Sequence, residues 1–122
     1  MVLSMHEKPR VDTRRVAEIL QELGDTAGQN VICVALEKLA QGLADTRDAA
    51  SRGDMADLAR QSELLSRLAW QLGLVSLAGV SVDVAICAER RDDAALAATL
   101  ARLMRIGNRS LTDIWDDDAT VS

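Results

Sequence analysis

The chain has 122 residues, enough to enclose one hydrophobic core but too few for two. Hydrophobic residues make up 48% of it, yet Phe and Tyr are absent and the aromatic side chains are Trp70 and Trp115, so the core must be built from Leu, Ala, Val and Ile. This composition favours helices packed closely on helices. The net charge of -5 gives no electrostatic reason to bind a polyanion, so we expect neither nucleic acid nor an anionic membrane as a partner.

Targeting and membrane segments are not expected. Met1 to Arg10 holds no apolar run long enough for a secretory signal, and Leu72 to Val82 is far shorter than the roughly 20 residues of a membrane span. The expected location is therefore the cytoplasm. Cys33 and Cys87 each lie among apolar residues, which predicts two buried, reduced thiols.

The first half of the chain predicts two helices. Asp12 or Thr13 can cap a helix over 12–23 whose apolar residues follow i, i+3, i+4, i+7 spacing. Gly24 to Gly28 predicts a turn, after which a second apolar stripe continues to about Arg52. That stripe consists of Ile32, Leu36, Leu39, Leu43 and Ala50.

Three more helices are expected in the second half. Gly53 and Asp54 supply a stop and an N-cap for a third helix that ends between Gly73 and Gly79. Its apolar stripe is Leu58, Leu65, Leu68, Leu72 and Val75. Ser81 to Arg90 predicts a short fourth helix, although Val80 to Val84 also alternates like a strand. Asp92 and Asp93 cap a fifth helix, followed by an acidic tail from Asp116.

The predicted fold class is all-α, an antiparallel four-helix bundle plus an N-terminal helix, because the connections are short. Residues 1–122 form a single domain in this prediction, with 1–10 and 116–122 as flexible tails. Trp115, at the end of the fifth helix, is expected to pack in the core.

The residues that catalysis would need are missing from the sequence. His6 is the single histidine, so neither a His-based triad nor a two-histidine metal site can form within one chain. Gly24 to Gly28 is not followed by the lysine and the hydroxyl residue that complete a phosphate-binding loop. The run Asp116 to Asp118 is expected to be solvated rather than to hold a metal. We therefore predict no enzyme activity, no catalytic residue, no metal and no cofactor.

Residues 31–115 resemble a histidine-containing phosphotransfer (HPt) domain, the module that passes phosphoryl groups between receiver domains in bacterial phosphorelays. The resemblance is carried by the second-helix stripe, the link Ser51 to Leu58, the segment Leu64 to Gly73, then Gly79, Cys87 and the last helix. It implies a role in two-component signalling, with a receiver domain or a histidine kinase as the partner.

The family signature on the third helix is a histidine that accepts phosphate, two residues, a lysine and a glycine. Matching the leucines places Trp70, Gly73 and Leu74 at those three positions. Anchoring on Gly79 and Cys87 instead places Ala69, Leu72 and Gly73 there. Neither alignment contains histidine or lysine, and neither an indole nor a methyl group can accept a phosphoryl group. The chain resembles a degenerate HPt domain, or pseudo-phosphotransferase.

A helical wheel of the third helix separates a core face from an outer face that carries charged and large apolar residues. The candidate partner-binding residues on or beside this outer face are Glu63, Arg67, Trp70, Gln71, Leu74 and Leu77. Two interpretations stay open: these residues bind a protein partner around Trp70, or they are covered by the first helix or by a second copy of the chain in a homodimer.

Overall fold

Five α-helices make up the fold. The computed structural model describes residues 8–121, the last seven of them by their helix alone. The helices are α1 (Arg14–Leu23), α2 (Asp25–Ser51), α3 (Met55–Gln71), α4 (Val75–Arg90) and α5 (Asp93–Val121). No strand occurs within the described residues, so the predicted all-α class is confirmed and the strand alternative for Val80 to Val84 is wrong. Residues before Lys8, including His6, lie outside the described residues, as does the side chain of Trp115.

Neighbouring helices pack on one another in chain order. The α3–α4 pair has the most extensive contact, α2 packs on α3, α4 on α5 and α1 on α2, while α2 and α5 touch over a smaller area. Each connection from α2 onward spans only two or three residues. None of the described helices combines the length and the apolar character that crossing a bilayer would require.

Local capping residues set several helix boundaries where the sequence predicts them. The Asp54 carboxylate accepts a hydrogen bond from the Asp57 backbone N–H at 3.0 Å, and the Asp92 carboxylate accepts one from Ala95 N–H at 3.1 Å. These bonds satisfy amide groups that the first turn of a helix would otherwise leave without a partner. The predicted starts of α3 and α5 are thereby confirmed.

Four expectations about helix limits are wrong. The turn predicted over Gly24 to Gly28 is limited to Gly24, and Gly28 lies buried inside α2 against Leu20 of α1. The predicted third helix ends early, at Gln71, and α4 begins at Val75 rather than Ser81. The α5 helix continues to Val121 and so includes the stretch that the sequence analysis assigned to a tail.

The core is aliphatic. Its fully buried large side chains come from every helix after α1 and include Ile32, Leu39, Leu58, Leu65, Leu74, Leu77, Leu103 and Ile106. Two buried hydroxyls bond to the preceding helical turn: Thr46 donates to the Gly42 carbonyl and Ser81 donates to that of Leu77, both at 2.7 Å. The buried hydroxyls of Ser62 and Ser110 have no hydrogen-bond partner within the described residues. The prediction of two buried thiols is wrong for Cys33, which is exposed on α2, while Cys87 is half-buried; both are free cysteines.

Candidate protein-binding site

Trp70 projects outward from the last turn of α3. Its side chain is 65% exposed, whereas Ala69 beside it and Leu65 one turn earlier are completely buried. The α3 helix is therefore amphipathic, with an indole on its outer face. An indole can bury 150–250 Å² on binding, so leaving it in water is unfavourable for an isolated protein.

The other candidate residues divide into two groups. Glu63, Arg67 and Gln71 are exposed on α3 along with Trp70. Leu74 and Leu77 are fully buried, so the expectation that they share the outer face is wrong.

The cause of this error is the early end of α3. A helical wheel extended through Leu77 assumes one continuous helix, but α3 ends at Gln71 and Gly73 has a φ of 76°, in the left-handed region. Leu74 lies in the turn and Leu77 belongs to α4, where both face the core. The chain direction changes at Gly73, and with it the face on which later side chains lie.

Residues 8–12 form a strap, here called the N-terminal strap, across the α3–α4 turn. Arg10 N–H donates to the Ser76 hydroxyl at 2.6 Å, and Ser76 N–H donates to the Arg10 carbonyl at 3.2 Å. Asp12 N–H donates to the Gly73 carbonyl at 2.6 Å. Pro9 is buried and Val11 packs against the core. The strap is therefore anchored by both backbone hydrogen bonds and apolar burial.

The strap and α1 complete a shallow cavity beside Trp70. The cavity has a volume of about 350 Å³ and is lined by Asp12, Arg15, Trp70, Gln71, Gly73 and Val75. Arg15 donates from Nε to the Gln71 carbonyl at 3.3 Å and forms an ion pair with Glu18. Hydrogen bonds from the Arg14 side chain and backbone lower the pKa of Asp12 below its ordinary value, so Asp12 is charged at neutral pH.

The chemistry of this site is suited to binding. The Trp70 indole offers apolar area beside the Arg15 guanidinium, and tryptophan and arginine are both enriched at protein interfaces. No imidazole or thiol lines the cavity. Among the described residues, no group of three or more metal-ligating side chains is arranged to hold an ion.

A second apolar surface, which the sequence analysis missed, lies between α2 and α3. This α2–α3 groove has a volume of about 400 Å³ and is lined mainly by Val31, Val34, Ala35 and Lys38 of α2 and by Leu68 and Gln71 of α3. Val31 is 46% exposed and Val34 51% exposed. The pattern did contain a signal, because both valines lie off the stripe that begins at Ile32.

The two alignments with the HPt signature place different residues at the position of the histidine. Trp70 is exposed at that position, whereas Ala69 is buried without access to solvent. Gly73 and Leu74, matched to the lysine and the glycine, both lie beyond the end of α3. No family model matches the chain, and no curated protein and no solved structure is significantly similar to it.

Proposed function

We propose that the chain is a cytoplasmic, HPt-like signalling adaptor that binds a receiver domain or a histidine kinase and does not itself carry phosphate. The observation that carries the proposal is Trp70, a 65% exposed indole at the position that the leucine alignment matches to the phospho-accepting histidine. On this proposal α2 to α5 correspond to the antiparallel four-helix bundle of the family, and α1 is an additional N-terminal helix.

The exposed surface around Trp70 supports a binding role. Complete burial of a large apolar side chain contributes on the order of 1.5–3 kcal/mol, and Trp is among the residues that most often dominate interface energies. Gln71 lines the cavity beside the indole, and Glu63 and Arg67 are exposed on the same helix, so this side of α3 carries polar and charged groups in solvent. A large apolar centre with a polar rim is the usual arrangement of a protein interface.

The side chains at the signature positions argue against phosphoryl transfer. The indole nitrogen lone pair belongs to the aromatic system and is not available as a nucleophile, unlike the lone pair of a neutral imidazole. Gly73 provides no cation at the position of the lysine. The same surface can therefore bind a partner without taking its phosphoryl group.

A binding titration tests the partner. Receiver domains and histidine kinase domains from the same genome are titrated against the purified chain, and at least one is expected to bind at roughly micromolar Kd. Trp70→Asp should weaken that binding by about 30-fold or more, which corresponds to about 2 kcal/mol. Val82→Asp is the matched control, because Val82 is 43% exposed on α4. Absence of binding by every receiver and kinase domain would refute the proposal.

A second experiment tests the alignment. A receiver domain that binds is phosphorylated with radiolabelled phosphate and then incubated with the wild-type chain, which should acquire no label. Trp70→His places an imidazole on the exposed face of α3 and should acquire label, whereas Ala69→His places it among buried residues and should not. Label on helix α3 of the wild-type chain would refute the absence of phosphotransfer, and an unlabelled Trp70→His would contradict the alignment at Trp70.

A structural role is the second candidate, with two copies of the chain joined through Trp70. The same exposed indole favours it, since burial against a second copy would also remove it from water. Light scattering separates the two functions. A wild-type dimer that Trp70→Asp dissociates, together with no receiver or kinase binding, would favour the structural role.

A further inference from the structure

We infer that the α2–α3 groove is a second docking site, and that its occupant is an amphipathic helix of another protein with acidic residues beside its apolar stripe. The inference is independent of the receiver-binding proposal. It rests on the shape, the exposure and the charge of the groove.

The apolar side chains of the groove follow helical spacing on both sides. On α2, Val31 and Val34 lie one turn apart and both line the groove. On α3, Leu68 lines it, and Leu64, one turn earlier on the same side of the helix, continues the apolar surface beyond it. Leu64 is 44% exposed, comparable to the two valines. From Val31 to Lys38 the groove covers eight residues of α2, a length of about 10 Å or two helical turns.

This shape matches the side of a helix. Two adjacent helices leave a furrow between them into which the apolar ridge of a third helix can pack, and amphipathic helices bind grooves of this kind through anchors at i, i+3, i+4 and i+7. None of the described helices fills the furrow, because Val31, Val34 and Leu64 are exposed after those helices have packed. An external helix would complete a three-helix layer.

The groove is separate from the Trp70 surface. Around α3, Leu64 and Trp70 are about 120 degrees apart at 100 degrees per residue. Glu63 and Arg67 lie between them on the exposed side. Gln71 touches both the groove and the cavity beside Trp70. Variants can therefore disturb one surface and leave the other intact.

The charged side chain that lines the groove is a cation. Lys38 lines it and no carboxylate does so. Arg67 on α3 and Glu37 on α2 lie further out, each about 60 degrees from an exposed apolar residue of its helix on the helical wheel. Neither cation forms an ion pair with any residue that the structure describes, whereas Arg14, Arg52 and Arg60 all do. An acidic partner would provide the opposite charges.

A second copy of the chain fits this groove poorly. A two-fold interface brings the same patch of both copies together, which would bury the Lys38 cations of both copies in one interface. Like charges brought close together oppose association. Lys38 thus favours a different partner with carboxylates over a homodimer at this surface.

Designed peptides test the assignment directly. The probe is a helical peptide of about 18 residues with leucines along one stripe and glutamates on either side of it. One comparison peptide replaces the glutamates by lysine, and another replaces the leucines by serine. Binding to the full chain is measured by fluorescence anisotropy, and the site is mapped by changes in backbone amide NMR signals. The glutamate peptide should bind at least about five-fold more tightly than either comparison peptide, with changes centred on residues 31–38 and 64–71.

Variants of the chain complete the test. Val34→Asp should weaken the glutamate peptide about ten-fold, and Lys38→Glu about five-fold. Val82→Asp and Lys8→Glu are matched controls at other exposed positions and should change binding less than about two-fold. Val31→Asp serves in place of Val34→Asp if the latter fails to fold. Trp70→Asp should leave peptide binding unchanged, which separates this site from the proposed receiver site.

Three results would overturn the inference. The first is that the glutamate peptide does not bind at concentrations up to about 1 mM. The second is that the lysine peptide binds as tightly or more tightly. The third is that Val34→Asp and Lys38→Glu leave the binding of the glutamate peptide unchanged. A chain that dimerises in light scattering, and that Val34→Asp makes monomeric, would assign the groove to a second copy instead.

Discussion

Replacing Gly73 by alanine should separate the N-terminal strap from the α3–α4 turn. Gly73 has a φ of 76°, and a Cβ added there would lie 2.2 Å from the carbonyl oxygen of Asp12. The atom it would meet belongs to the backbone, so a side-chain rotation cannot relieve the overlap. Either the strap or the turn must move.

A second glycine separates the two contributions to the expected cost. Gly53 has a φ of 70° and nothing within 4 Å of an added Cβ, so Gly53→Ala should cost only the left-handed conformation, about 1 kcal/mol. Gly73→Ala adds the loss of the strap's three backbone-anchored hydrogen bonds at about 1 kcal/mol each. The chain entropy recovered by a released strap offsets part of this loss. We therefore expect Gly73→Ala to cost about 2 kcal/mol more than Gly53→Ala.

Urea unfolding followed by the helical circular dichroism signal measures the difference. Both variants are compared with wild type at the same pH, with the unfolding slope m monitored for changes in the native state. If the free energies of unfolding of Gly53→Ala and Gly73→Ala agree within about 0.5 kcal/mol, the contact between the strap and Gly73 does not stabilise the fold and the prediction is wrong.

Two further predictions concern packing and charge. Gly107→Ala would bring a Cβ within 2.7 Å of both terminal carbons of Leu43, so it should lower the free energy of unfolding by about 1–3 kcal/mol. Gly79→Ala is the control, because its added Cβ meets nothing within 4 Å and should not lower that free energy. The Arg52 hydrogen bond lowers the pKa of Asp57, so the charged carboxylate stabilises the fold fully above its ordinary pKa of about 4 and loses this effect as the pH falls below it. Asp57→Asn should therefore remove part of the acid-dependent loss of stability that sets in below about pH 4, measured by urea unfolding at a series of pH values; an unchanged pH profile would contradict this.

The helices were predictable where local residues determine them. Asp54 and Asp92 cap α3 and α5 through bonds to amides three residues ahead, an arrangement that residue type and spacing indicate directly. The end of α3 was harder, because Leu72 and Val75 continue the apolar spacing through the break. Both sides of the turn face the same core, so periodicity does not register the change in direction at Gly73.

The candidate site was predictable only in part. Helical spacing on α3 placed Glu63, Arg67 and Trp70 together, and it could have placed Val34 outside the α2 stripe. The position of the strap beside Trp70 depends on the contact between Arg10 and Ser76, which are 66 residues apart. No local pattern encodes a contact of that separation, and sequence spacing could not decide whether the indole would be covered.

The lack of aromatic side chains in the described core determines which spectroscopic signals can report its unfolding in solution. Every buried hydrophobic side chain within residues 8–114 is aliphatic, and the one aromatic side chain in that range, Trp70, faces the solvent. Its emission and near-ultraviolet signals therefore change little when the interior loosens while the helices persist. Methyl groups of Ile, Leu and Val are the better reporters, and isotope labelling at those methyls would reveal a molten state to which this indole is insensitive.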